Sequence, residues 1–167
     1  MRQPPFCQAN SEAFEPKVTI FSSVVLMKTN NKIQLLVVIL LLALSLNALA
    51  GGLFLIVDPS GTALQIPVEL LEGTPFSSYL IPGIILFLTN GISSLVIAIM
   101  TIKKVKHYPL LIILQGCVLL AWLSSELILN REFFHPVLHY PLFVVGVLLI
   151  IAGFFVERKG LEIFARM

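Results

Sequence analysis

The sequence predicts an all-α membrane protein: a four-transmembrane-helix bundle with a short amphipathic helix on the outer face between spans one and two. Three observations carry that expectation. Hydrophobic residues make up 57% of the 167 residues and charged residues only 12%, with a mean hydropathy of +0.98, whereas about a quarter of a water-soluble domain is charged. Four apolar stretches, Ile33–Val57, Leu80–Ile102, Pro109–Leu129 and Val137–Val156, each approach or exceed the roughly 20 residues a helix needs to cross a bilayer. The basic residues also alternate between the two ends of these stretches. Lys28 and Lys32 precede the first, Lys103, Lys104 and Lys106 join the second to the third, and Arg158, Lys159 and Arg166 follow the fourth. Residues 58–79 contain no Lys or Arg, and the turn between spans three and four has only Arg131.

Positive charge near helix ends marks the cytoplasmic side. Both termini are therefore expected inside, with which an even number of spans is consistent, and the protein is expected in the cell membrane. The net charge of +2 is too small to suggest a nucleic-acid partner.

The first span admits a second reading. In "LSLNALAGGLFLIVDPSG", Ala48-Leu49-Ala50 has the small-x-small pattern of a signal-peptidase site. A signal peptide's apolar core is about 7–15 residues and ends at the cut. Here "LFLIV" continues beyond it, and cleavage after Ala50 would leave a stub too short to span, so the helix is expected to be retained. Upstream, residues 1–26 show no periodicity, and the apolar patch Val18–Leu26 is too brief to cross a membrane. "MKTNNKIQLLVV", from Met27, reads as the natural opening of a membrane protein. Residues 1–26 are thus expected either to precede the translation start or to form a poorly ordered tail. The resulting domains are a cytoplasmic tail (1–32), a transmembrane domain (33–157) and a C-terminal cytoplasmic tail (158–167). Cys7 and Cys117 are too far apart along this arrangement to meet, so no disulfide is expected, and no CxxC pair is present.

Asp58-Pro59-Ser60-Gly61 reads as a turn, with each residue in its favoured position. Pro67 then suits the start of a short helix closed by Gly73, with Leu64, Val68 and Leu71 sharing its apolar face. Thr74-Pro75 reads as the start of the next helix, which makes Pro82 a kink rather than the beginning of the span, and Tyr79 suits a membrane interface.

The run Asp58-Pro59-Ser60-Gly61, Leu70-Leu71, Thr74-Pro75-Phe76, Tyr79, Pro82-Gly83 and Asn90-Gly91 resembles a group of small four-helix bacterial membrane proteins with no assigned activity. The resemblance covers roughly residues 33–156. It implies four spans and supplies no catalytic residues.

Polar residues inside spans are costly unless they face protein. In span two, Gly83, Asn90, Ser94 and Thr101 share one helical face; in span one, Asn47 and Gly51 stand over Ala43; in span four, Gly146 and Gly153 are seven apart. These are read first as helix-packing contacts and second as a polar translocation path. In span three, Gln115, Trp122 and Glu126 share a face, and Glu126 lies close in sequence to Asn130, Arg131, Glu132, His135 and His139. That group reads either as a wet interfacial rim with an Arg131–carboxylate pair or as an outward-facing site for a cation, a metal or a lipid head group. His135 and His139 have the spacing of one helical turn, a weak metal signal, and Pro141 is expected to make the start of that helix irregular. The candidate polar site is therefore Asn47, Asn90, Ser94, Gln115, Glu126, His135 and His139, with no metal or cofactor expected.

No phosphate loop, nucleophile elbow or HExxH motif occurs. His107 lies at the opposite end from His135 and His139, which argues against a bundle haem, and spans one and two contain no acidic residue of the kind a proton-coupled carrier would bury. Two readings follow. The first is a non-catalytic bundle binding lipid, another membrane protein or a second copy of itself; the alternative is a small oligomeric transporter or channel.

Overall fold

Hydrocarbon offers no partner for backbone N–H and C=O groups, so long apolar stretches fold as helices, which satisfy their own. In the computed structural model, which describes residues 15–129 and 136–165, every regular element is helical and no strand occurs among those residues. Four helices are long and apolar enough to cross a membrane: Lys32–Val57, Leu80–Ile102, Tyr108–Leu129 and His139–Arg158. That is the make-up of a multi-pass membrane protein.

The chain divides into two compact units, Met1–Lys32 and Ile33–Met167. In the first, the backbone is helical from Glu15, where α1 (Glu15–Val57) begins. The sequence reading had no regular structure here. Glu15-Pro16 in fact suits a helix start, because the N–H that Pro lacks has no intrahelical partner in the first turn, and no Gly or Pro follows before Gly51. Cys7 lies outside the described residues; Cys117 is an exposed free thiol.

The second unit is the bundle. Its second span has three parts: α2 (Leu80–Leu86), a π-helical segment (Phe87–Ile92) and α3 (Ser93–Ile102). It is followed by α4 (Tyr108–Leu129) and α5 (Pro136–Ala165). Val37, Leu41 and Leu44 of α1 pack with Ile97 and Ala98 of α3, Ile112, Leu119 and Leu123 of α4, and Leu149 of α5. The outward faces are almost wholly apolar, with Leu46, Val57, Ile102 and Phe155 each more than half exposed.

Small residues set the closest helix approaches. A Cβ on Gly83 would stand 2.7 Å from the Leu55 side chain and 3.1 Å from the Gly52 carbonyl, and one on Gly52 would stand 2.9 Å from the Gly83 carbonyl. α1 and α2 therefore cross backbone to backbone at this pair. α4 and α5 do the same where a Cβ on Gly116 would meet the Gly146 carbonyl at 2.7 Å. Bundles in lipid associate largely through such close packing. Gly83, Gly146 and Gly153 all face protein, as the spacing predicted.

Span one corrects the predicted rotation. Its buried stripe is Val37, Leu41, Leu44, Ser45, Ala48, Gly52 and Leu55, whereas Ala43 and Asn47 are exposed. Two small-residue faces lie side by side on this helix. Because it is apolar all round, hydrophobicity could not choose between them.

The 58–79 segment folds back over the bundle end instead of forming an amphipathic α-helix. It contains two single 3-10 turns, Thr62–Leu64 and Val68–Leu71. Leu71 and Tyr79 are buried against Leu55, with Leu64, Ile66 and Phe76 packed around them, and Val68 is exposed. Gly61 closes the Asp58 turn at φ 78, where any side chain would collide with the Ile66 carbonyl and the Tyr79 ring. Tyr79 is not an interface ring: its hydroxyl donates to the Pro67 carbonyl at 2.8 Å and its N–H to the Pro59 carbonyl at 2.9 Å. Burial, and then the nearby Glu69 charge, push its phenol pKa up.

The helix starts at Leu80 rather than Thr74, so Pro82 falls in the first turn, where its missing N–H is harmless. Thr74 instead turns its hydroxyl back to the Leu71 carbonyl at 2.7 Å. Pro141 also differs from expectation, since α5 runs through it unbroken. Its missing N–H leaves only the carbonyl of the exposed Val137, in the first turn, without a helical donor.

Asp58 ties the start of this loop together. Its carboxylate accepts the Ser60 hydroxyl at 2.5 Å and the Ala63 N–H at 2.7 Å. The Ser60 hydroxyl bond and then the Ala63 N–H hold its pKa below the ordinary 3.8. A depressed carboxyl pKa stabilises the fold above the unfolded value, and that stabilisation disappears as pH falls through the folded one. Amide exchange at Ala63, corrected for intrinsic rates, should therefore accelerate at pH values below 3.8. Asp58→Ala should exchange fast at all pH values, and equal protection of Ala63 in both proteins at neutral pH would refute this role.

A buried polar cluster and a lateral cavity

The middle of span two carries a dense polar run, Thr89, Asn90, Ser93 and Ser94, and the π-helical turn brings more than one helical face of it toward protein. Asn90 and Ser94 are fully buried, as is Thr101, and Gln115 of α4 is 2% exposed. Gln115 is the hub. Its Oε1 accepts the Ser93 hydroxyl at 2.7 Å, and its Nε2 donates to the Thr89 carbonyl at 3.2 Å and to Asn90 Oδ1 at 3.4 Å. Asn90 Nδ2 in turn donates to the Thr89 hydroxyl at 3.2 Å, and Ser93 Oγ also bonds the Thr89 carbonyl. From α1, the Ser45 hydroxyl donates to the Gly91 carbonyl at 2.9 Å. One network thus joins three spans near their midpoints. Ser94 Oγ is the buried side-chain atom without a hydrogen bond among the described residues.

A second feature lies toward the capped end of the bundle. A cavity of about 450 Å³ runs between α2 and α4 beneath the 58–79 segment, within the roughly 300–1,000 Å³ of small-molecule sites. Pro82, Ile85 and Leu86 line one wall, Val118, Ala121 and Trp122 the other, and Leu71, Phe76 and Tyr79 the roof. Ile85, Ala121 and Leu129 also reach the bundle surface, so the cavity opens sideways between α2 and α4. Its floor touches Thr89, a member of the polar cluster, and among the described residues Glu126 is its only charged lining residue. Glu126 Oε2 lies 3.2 Å from Nε2 of His139, whose side chain is 9% exposed. The imidazole comes from α5, so this pair links the two helices at the cavity's edge.

The predicted site residues therefore fall into separate groups. Asn90, Ser94 and Gln115 belong to the polar cluster; Glu126 and His139 pair beside the cavity, with Trp122 in its wall. Asn47 is exposed on the face of α1 beside the buried stripe and joins neither. His135 lies outside the described residues, as do Asn130, Arg131 and Glu132, so the two-histidine spacing and the Arg131 pair stay without a structural counterpart. Among the described residues, no group of three or more His, Cys, Asp or Glu side chains could hold a metal ion. Sequence reasoning missed Ser45, Thr89 and Ser93. Their signal was present in the polar density of residues 89–94, but an ideal α-helical wheel separates positions that the π turn recruits together. The cavity had no signal, since its walls are ordinary apolar residues from distant segments. No family model, no curated protein and no solved structure matches this chain.

Proposed function

We propose that this is a cell-membrane protein with both termini cytoplasmic, and that it acts as a non-catalytic bundle holding a lipid-like amphiphile in its lateral cavity. The orientation rests on the lysines of Lys103–Lys106 and the absence of Lys and Arg from the 58–79 cap. Single cysteines at Ser60 should label from outside intact cells and those at Lys104 should not; the reverse pattern overturns the orientation.

The binding role rests on one observation, the apolar cavity opening sideways between α2 and α4 at membrane depth. An alkyl chain entering from the bilayer would exchange lipid neighbours for Val118, Leu86 and Ile85 while its head reached the Glu126 rim. Trp122 is the chain's single tryptophan and lines the cavity, so its fluorescence reports occupancy directly. In phosphatidylcholine vesicles, 12-bromododecanol should quench Trp122 saturably, beyond the linear quenching by bulk bilayer. Ala121→Phe, which narrows the entrance, should leave only the linear component. Linear quenching in the wild type would overturn the reading.

A second reading, association with another membrane helix, has Asn47 in its favour. This polar side chain sits mid-span on an exposed face, where a second copy or a partner would satisfy it. Loss of an inter-chain crosslink in Asn47→Leu would support it.

A further inference from the structure

The geometry points to a ligand of one charge type: a single-chain amphiphile with a cationic ammonium head, seated with its chain in the cavity and its head against Glu126 and the ring face of Trp122. This rests on the lipid-like binding role above and adds the chemistry of the head group. Two features at this end of the bundle select a cation.

The first is the wall itself. Among the described residues, Glu126 is the only charged one lining the cavity, and Trp122, Phe76 and Tyr79 line it too. A carboxylate beside aromatic faces is the combination that attracts an alkylammonium, by direct charge pairing and by the ring quadrupole, with Trp the strongest of the three rings. The second is the electrostatic surrounding. Among the described residues of this end, the acidic side chains are Asp58, Glu69, Glu72 and Glu126, and no Lys or Arg is present. Among the described residues lining the cavity, an anionic phosphate or carboxylate head would find no Lys or Arg and would meet the Glu126 carboxyl. Glu126 Oε2 lies 3.2 Å from Nε2 of His139, which anchors the carboxyl at the cavity edge.

A head that is merely polar, such as a hydroxyl, could accept or donate one hydrogen bond at Glu126 but would gain nothing from the aromatic faces or the surrounding acidic groups. Cationic, neutral and anionic heads on one chain length therefore separate the possibilities. In phosphatidylcholine vesicles, at matched bilayer mole fractions, 12-bromododecyltrimethylammonium should quench Trp122 at least about tenfold more tightly than 12-bromododecanol, with 12-bromododecyl sulfate weakest. Glu126→Gln, which keeps a hydrogen-bond acceptor for His139, should erase the preference and bring ammonium and alkanol within about threefold of each other. The wild-type ranking decides the matter even if the variant fails to fold. Equal saturable quenching by all three probes would sink the charge selection and leave the amphiphile site standing. Linear quenching by all three would remove the site and the inference together, and a sulfate preference would overturn the inference outright.

Discussion

Gly83→Leu should lower the thermal midpoint of the detergent-solubilised protein more than any other single substitution on the second span. The added side chain must displace the Leu55 side chain and the Gly52 carbonyl, and the latter belongs to a helix backbone that cannot rotate aside. Overpacking a tight site costs about 1–3 kcal/mol and occasionally more, and this site lies at the upper end because α1 and α2 would have to separate. That separation would also lift Leu55 from the cluster with Leu71 and Tyr79, so the cap should lose amide protection along with the helix contact. Gly52→Leu should behave alike, since it attacks the same crossing from the other side. Ile84→Leu, on the exposed face one position away, should melt like the wild type. If Gly83→Leu melted within error of Ile84→Leu, the crossing of α1 and α2 described above would be wrong.

Gln115→Leu should be the next most damaging. It removes a side chain that bridges α4 to the π-helical segment, leaving the Ser93 hydroxyl and Asn90 Oδ1 without their shared partner. A single interhelical hydrogen bond in a membrane protein is worth about 0.6 kcal/mol, rising to about 1.7. Gln115 makes three such bonds from one position, so a loss of about 1–2 kcal/mol is expected. Leu nearly matches Gln in length, which keeps cavity formation out of the measurement. Asn47→Leu supplies the contrast: it is equally a loss of an amide at mid-span, yet it should leave the monomer's melt unchanged because that side chain faces away from the bundle. If the two variants melted alike, the cluster around Gln115 would contribute nothing that a lipid-facing amide does not.

These two substitutions show where reading the chain succeeded and where it stopped. The face of span two was legible because its small and polar residues recur at helical spacing in an otherwise apolar run: Gly83, Asn90, Ser94 and Thr101 are all buried. Gly146 and Gly153 followed the same logic. In span one, the same reasoning met two neighbouring candidate faces and took the wrong one. The Ser45–Ala48–Gly52 face wins because Gly52 meets Gly83 and Ser45 reaches the Gly91 carbonyl, and both partners lie on another helix. The cap went wrong for a related reason. The spacing puts Leu64, Val68 and Leu71 on one apolar face and Tyr79 at an interface; Leu64 and Leu71 do pack inward, but Val68 is exposed, and nothing local shows that the Tyr79 hydroxyl will find the Pro67 carbonyl across the loop.

Four apolar runs of spanning length, the alternation of Lys and Arg between their ends, and the turn chemistry of Asp58–Gly61 could be read directly from the chain. Each depends on neighbours a few residues apart or on transfer from water to hydrocarbon, which a sequence encodes position by position. The rotation of α1, the three-span network around Gln115, the Glu126–His139 pair and the cavity beside Trp122 arise from the assembled helices. In lipid the helices are apolar on every side, so burial of hydrophobic area does not orient them. What orients them is close contact between backbones and hydrogen bonds across helices, and both exist only once the partners have met.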